Sequence, residues 1–206
     1  MSWFNKNEIQ RIQIEITNYC NASCHLCSRE NKKVKFNNNN ITLNQIKKSY
    51  TGQWPSLTNI HLCGNVDEPT INPEIIDIIY HLSTLNNNIK FNIATNGGTR
   101  NEKFWSELGS INNVMVTFGI DGLKDTNHLY RKNVKWGLLE KNYKAFIRAG
   151  GKATWQFIPF EHNKHQISEA KDLAMSEGFS EFIIRKTIRE NTKIDIDVPT
   201  GHTNER

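Results

Sequence analysis

Three cysteines decide what chemistry this sequence can do. Cys20, Cys24 and Cys27 form a Cys-x3-Cys-x2-Cys array, Cys20-Asn21-Ala22-Ser23-Cys24-His25-Leu26-Cys27, and a loop that short can fold its thiolates back over one inorganic centre. Two centres compete. A structural zinc ion takes four protein ligands, so a fourth would come from His25, His61 or Cys63. A [4Fe–4S] cube held by three cysteines leaves one iron without a protein ligand, open to a substrate or cofactor. The opening residues, Met1-Ser2-Trp3-Phe4-Asn5-Lys6, lack the basic-then-apolar order of a secretory signal. The expected location is therefore the cytosol, where four cysteines read as metal ligands or catalytic thiols before disulfides.

A metal loop needs a scaffold, and the hydropathy pattern supplies one. Residues 9–16 alternate apolar and polar side chains, with Ile12, Ile14 and Ile16 on one face, as a half-buried strand does, and this strand runs straight into the cysteines. Further strands are expected at 59–62, 89–94, 114–120, 153–159 and 181–185. A helix opens at the cap-like Thr42 and runs through Lys47; others span 73–85, 102–108, 134–149 and 166–177. Pro73-Glu74 suits a first turn, and Gly150-Gly151 and Gly178 suit C-terminal caps. Strands separated by helices imply right-handed crossovers and a parallel sheet. An eight-fold barrel takes about 250 residues, so 206 residues predict an α/β chain folded as a partial, open (β/α)6 barrel, TIM-like in winding. That domain is expected over residues 1–189, followed by a polar arm, 190–206, that carries Pro199 and Gly201 and shows no periodicity. The asparagines at 37–40 read as plain loop. No apolar run approaches the ~18 residues of a membrane span. A net charge of +5 is too mild for a nucleic-acid footprint and suits an acidic small molecule or a nucleotide equally well.

Cys-x3-Cys-x2-Cys after the first strand of a βα array resembles the radical S-adenosylmethionine (SAM) enzymes, and four further segments match in order, each at a strand end. Leu62-Cys63-Gly64-Asn65-Val66-Asp67-Glu68-Pro69 resembles the family's "GGE" region, and Ile93-Ala94-Thr95-Asn96-Gly97 its polar strand end. Phe118-Gly119-Ile120-Asp121-Gly122 with Tyr130-Arg131 is similar to a stretch of the peptide-modifying (SPASM-type) branch, as are Trp155 to Phe160 and the following His162-Asn163-Lys164-His165-Gln166. The resemblance covers residues 9–186. It implies a radical SAM core in which Cys20, Cys24 and Cys27 hold a [4Fe–4S] cluster. SAM chelates the open iron, one electron from a flavodoxin- or ferredoxin-type donor cleaves it to methionine and a 5′-deoxyadenosyl radical, and that radical takes hydrogen from a substrate. The 118–166 similarity favours a peptide or protein side chain over a small molecule as that substrate. An activase that installs a glycyl radical is a second reading, and a basic zinc-binding RNA module a third.

The resemblance also assigns roles. Glu68 meets the SAM ammonium, with Asp67 beside it where the family has glycine. Thr95 and Asn96 meet the ribose or amino group, in competition with a simple Asn-Gly turn. Arg131 offers its planar fork to the SAM carboxylate. Leu26 stands where an aromatic residue usually packs near the adenine. Gly119 replaces a serine whose hydroxyl would touch SAM, leaving Thr117 or solvent to substitute, and Asp121-Gly122 reads as turn chemistry. Among Trp155, Phe157 and Phe160 some should belong to the core and others to the cavity, with Gln156 turned towards adenine or substrate. His25 is expected to face solvent and Cys63 to be a small buried hydrophobe. Two basic groups, Lys32, Lys33 and Lys35 after the cysteines and Arg185, Lys186 and Arg189 at the last strand, read as solvated surface or as contacts for an acidic electron donor or phosphate. No cysteine follows Cys63, so the Cys-rich C-terminal extension of the peptide-modifying branch is expected to be absent. Substrate recognition then falls to loops, to the arm, or to a partner chain.

Overall fold

The computed structural model of the chain describes residues 5–30, 36–62 and 66–186. Strands β1 (Arg11–Gln13), β2 (Asn59–Leu62), β3 (Lys90–Thr95), β4 (Val114–Gly119), β5 (Lys152–Phe157) and β6 (Glu181–Ile184) form one six-stranded sheet in chain order. Every neighbouring pair is parallel. Helices α1 (Leu43–Ser49), α2 (Ile75–Leu85), α3 (Glu102–Gly109), α5 (Trp136–Arg148) and α6 (Ile167–Ser176) fill the crossovers, and a short α4 (Asn127–Tyr130), absent from the sequence pattern, follows β4. An order that never reverses is the winding of a (β/α) barrel stopped at six strands, as expected.

Local chemistry explains the boundaries. Thr42 and Gln45 close a reciprocal capping box at the start of α1. Gly150 and Gly178 take φ of 93° and 88° behind α5 and α6, a region that costs other residues strain. Helix α2 buries Ile75, Ile78, Ile79 and Leu82, the i, i+3, i+4, i+7 stripe. These helices cover one face of the sheet, where Ile60, Phe91, Val116, Phe118 and Trp155 are fully buried or nearly so, each contributing about 1.5–3 kcal/mol by leaving water.

Among the described residues the opposite face has no such cover. His61, Asn92, Thr117, Thr154 and Gln156 are half-buried there, and Met115 and Ile183 are 41% and 37% exposed. A closed barrel would fill this interior with side chains; six strands leave it as an open trough.

Three expectations need correction. The regular part of β1 covers only Arg11–Gln13, because the chain then leaves β2 and pairs with the asparagine stretch instead. Thr17 bridges Asn40 antiparallel, Ile41 N donates to Ile16 O at 2.8 Å, and Asn39 N donates to Asn18 Oδ1 at 2.6 Å. Those asparagines are thus a partner for the cysteine-bearing segment rather than plain loop. Trp155 and Phe157 are both fully buried under the helices and Phe160 is buried past the strand end, so none lines the trough; residues two apart in a strand share a face. Cys63, the three lysines at 32, 33 and 35, Arg189 and the arm 190–206 lie outside the described residues. Among the described residues no helix is long and apolar enough to cross a membrane.

Candidate active site

The loop after β1 is stitched to the ends of the next three strands. Two turns, Cys27 N to Cys24 O (2.8 Å) and Glu30 N to Cys27 O (3.0 Å), set the cysteine spacing. Beyond β2, Glu68 N donates to Tyr19 O at 2.7 Å, and the Arg29 guanidinium donates to the carbonyls of Asn18 and Val66. Beyond β3, Asn21 Nδ2 donates to Gly98 O at 3.3 Å. Beyond β4, Ser23 N donates to Lys132 O at 3.2 Å. All three anchor points lie past C-terminal strand ends, where barrel folds place their chemistry.

Cys20, Cys24 and Cys27 are free thiols. Burial pushes the Cys20 thiol up to about 12, with smaller contributions from Glu68, Cys24 and Cys27. Burial also pushes Cys24 up, against the pull of the neighbouring Arg131 guanidinium. Thiols that resist ionising alone suit a centre that brings positive charge of its own, because metal binding takes the thiolate. Among the described residues no three His, Cys, Asp or Glu side chains converge tightly enough for a single metal ion. Three thiols spread along one loop suit a four-iron cube better, since each cysteine there binds a different iron. His25 is exposed, edge-on to the Tyr130 ring at 5.4 Å, and His61 lies half-buried on the open face of β2. Neither is grouped with the cysteines, and Cys63, the third candidate for a zinc ligand, lies outside the described residues. The residues present fit the cluster.

Glu68 is 1% exposed. Its Oε1 accepts from Thr70 Oγ1 (2.6 Å), Thr95 Oγ1 (2.6 Å) and Thr70 N (3.3 Å), and its Oε2 from Asn96 N (2.7 Å). Burial pushes this carboxyl up while the four hydrogen bonds pull it down. The Thr95 hydroxyl gives its proton to Glu68 and accepts from Gly97 N at 2.9 Å, so it is turned onto the carboxylate. Asn96 links the strand end to the cysteines: its amide donates to Asn21 Oδ1 at 2.9 Å and reaches Cys20 Sγ at 3.9 Å. The Asn-Gly turn and the site are the same structure. Asp67 and Leu26 are half-buried beside these loops, and Gln156 lies in register with Gly119 on the open face.

Asp121 is no turn residue. It is 0% exposed, its Oδ2 accepts from Arg131 Nε at 2.6 Å, and its Oδ1 accepts from Ile158 N at 2.6 Å. Burial pushes its carboxyl up, and Arg131 and the Ile158 N–H oppose that. The Arg131 guanidinium also fills the space that a side chain at position 119 would need. A Cβ on Gly119 would sit 2.5 Å from Arg131 Nη2 and 3.0 Å from Cζ. Arginine, and not Thr117 or solvent, therefore stands where the serine hydroxyl was expected.

Sequence reasoning missed Asn21, Arg29, Thr70 and Asn142 as supports. Only Asn142 carried a usable signal. It is a polar residue on the buried stripe of α5, between Leu139 and Phe146, and it donates to Gly97 O and Thr99 O at 2.8 Å each.

The class of protein defined by this sheet and loop matches a known family. The chain belongs to the radical SAM superfamily, whose profile matches residues 14–173; that superfamily's cofactors are a [4Fe–4S] cluster and S-adenosylmethionine. No curated protein matches the sequence. Among solved structures, Streptococcus suis SuiB bound to S-adenosylmethionine superposes with a TM-score of 0.69 at 18% identity, covering 89% of this chain and 42% of that one. SuiB bound to precursor peptide SuiA gives 0.70 at 18%, covering 85% and 39%. The anSMEcpe structure with bound AdoMet and Kp18Cys peptide gives 0.68 at 18%, covering 86% and 51%. The chain thus spans about two fifths to half the length of these neighbours, and at such identity the likeness is one of fold.

Proposed function

We propose that the chain is a radical SAM enzyme acting on a peptide or protein side chain. The observation that carries this reading is the stitching of a three-cysteine loop to strand ends that also bring a buried Glu68 and Arg131, beside an open sheet face. Cys20, Cys24 and Cys27 hold the cluster; bound there, cluster and SAM supply an electron and a 5′-deoxyadenosyl radical able to take hydrogen from an unactivated C–H bond. Each protein group has a separate task. Oε2 of Glu68 accepts from Asn96 N and keeps lone-pair capacity for the SAM ammonium, with Asp67 adding negative charge and Thr95 and Asn96 fixing the carboxylate. Arg131 commits Nε to Asp121, so its Nη groups are what it offers to the SAM carboxylate. Leu26 covers the adenine by van der Waals contact, and Gln156 faces adenine or substrate.

The open trough suits an extended substrate. SuiB and anSMEcpe, solved with peptides, share the fold, which supports the same substrate class here. We place the chain in the cytosol, where thiols stay reduced, supplied by a flavodoxin- or ferredoxin-type donor. Anaerobic reconstitution followed by dithionite and SAM tests the reading. The expected product is 5′-deoxyadenosine, lost in Cys24→Ala and reduced at least tenfold in Glu68→Ala. Normal cleavage by the Glu68 variant would remove that residue from the site.

A further inference from the structure

Arg131 is held more rigidly than a group that only meets a ligand requires. Its Nε is locked to Asp121 Oδ2 at 2.6 Å, and the other carboxylate oxygen is fixed by Ile158 N. Its backbone N donates to Asn127 O at 2.8 Å, and Lys132 O, one residue on, holds Ser23 N of the cysteine loop. The far end of the guanidinium lies in the space above Gly119, with Nη2 2.5 Å from where a Cβ would stand. Ser23 and His25, on either side of Cys24, touch Lys132 and Tyr130, on either side of Arg131, which brings the guanidinium charge to bear on Cys24, itself only 6% exposed.

We infer that Arg131 sets how readily the centre on the cysteine loop accepts an electron: Gly119 leaves the room, Asp121 fixes the guanidinium, and its charge falls on the Cys24 sulfur. This rests on the cluster reading above. Three thiolates make the centre anionic, and an added electron makes it more so. A cation beside a ligating sulfur favours the reduced state, and burial strengthens the effect. Asp121 acts on Cys24 in the opposite sense but more weakly than Arg131. Gly119 and Asp121 are positioning residues in this account, and glycine at 119 is needed for the approach of Arg131.

The test is an anaerobic, EPR-monitored redox titration of the reconstituted full chain without SAM, so that SAM binding plays no part. Arg131→Gln should shift the midpoint potential to more negative values at unchanged iron and sulfide content, and Arg131→Lys should recover part of the shift. Gly119→Ser, which keeps both charges but crowds the guanidinium, should shift it in the same direction. It also serves as the test if Arg131→Gln loses the cluster. Fully loaded Arg131→Gln with the wild-type midpoint, whatever its SAM affinity, overturns the inference. A wild-type midpoint in Gly119→Ser overturns the role of Gly119. A wild-type chain that binds no cluster overturns both this inference and the reading on which it rests.

Discussion

Glu68 is a carboxylate buried among two hydroxyls and two backbone amides, and none of these donors is a cation. Burial raises its carboxyl above the ordinary range, so the folded chain holds the proton more tightly than the unfolded chain does. Its contribution to stability is then fullest below the unfolded value of about 4.3 and falls as the pH rises through the window up to the folded value. Glu68→Gln has no proton to lose and sets an amide NH2 against Asn96 N–H. In urea melts of the cluster-free chain, the advantage of wild type over Glu68→Gln should shrink as the pH rises above about 4. A difference that grows with pH contradicts this account of Glu68. SAM, by bringing an ammonium to the carboxylate, would relieve the same burial cost, which ties cofactor binding to the stability of this strand end.

The strand ends are held by helices, and α5 shows how. Asn142 spans the gap from α5 to the carbonyls of Gly97 and Thr99, so the loop that presents Asn96 to Cys20 is fixed from behind. Asn142→Leu takes the donor from Gly97 O, while Thr99 O keeps Trp105 Nε1 at 3.0 Å, and should cost about 1–3 kcal/mol in thermal or urea unfolding. It should weaken SAM binding while iron content stays at the wild-type level; unchanged SAM affinity would show that the loop does not depend on this clamp. The strand sequence 59–62 and the helix stripes were legible because burial on one face imposes a period that survives in a single sequence. The shortness of β1 was not legible, since it depends on a partner at 39–41 that only the fold brings near. The cysteine loop could be read from spacing alone. Asp121 could not, because its meaning lies in Arg131 ten residues on and in Ile158 just past the end of β5.

At the scale of the whole molecule, a sheet of six strands covered on one side leaves a face that a complete barrel would fill, and the cysteine loop stands at its mouth. Electron and substrate must both arrive at that end. For the proposed acidic, flavodoxin-type donor, a net charge of +5 would steer encounter by opposite charge, screened by salt. The rate of cluster reduction by flavodoxin should fall as ionic strength rises, and a flat profile would rule out a charge-guided donor. The central claim is that SAM binds at an iron left open by Cys20, Cys24 and Cys27. The most direct measurement is the EPR spectrum of the reduced, reconstituted chain before and after SAM is added. The account predicts about four irons per chain and a signal whose g values shift on adding SAM. An iron-free chain carrying zinc, or a cluster signal indifferent to SAM, would contradict it.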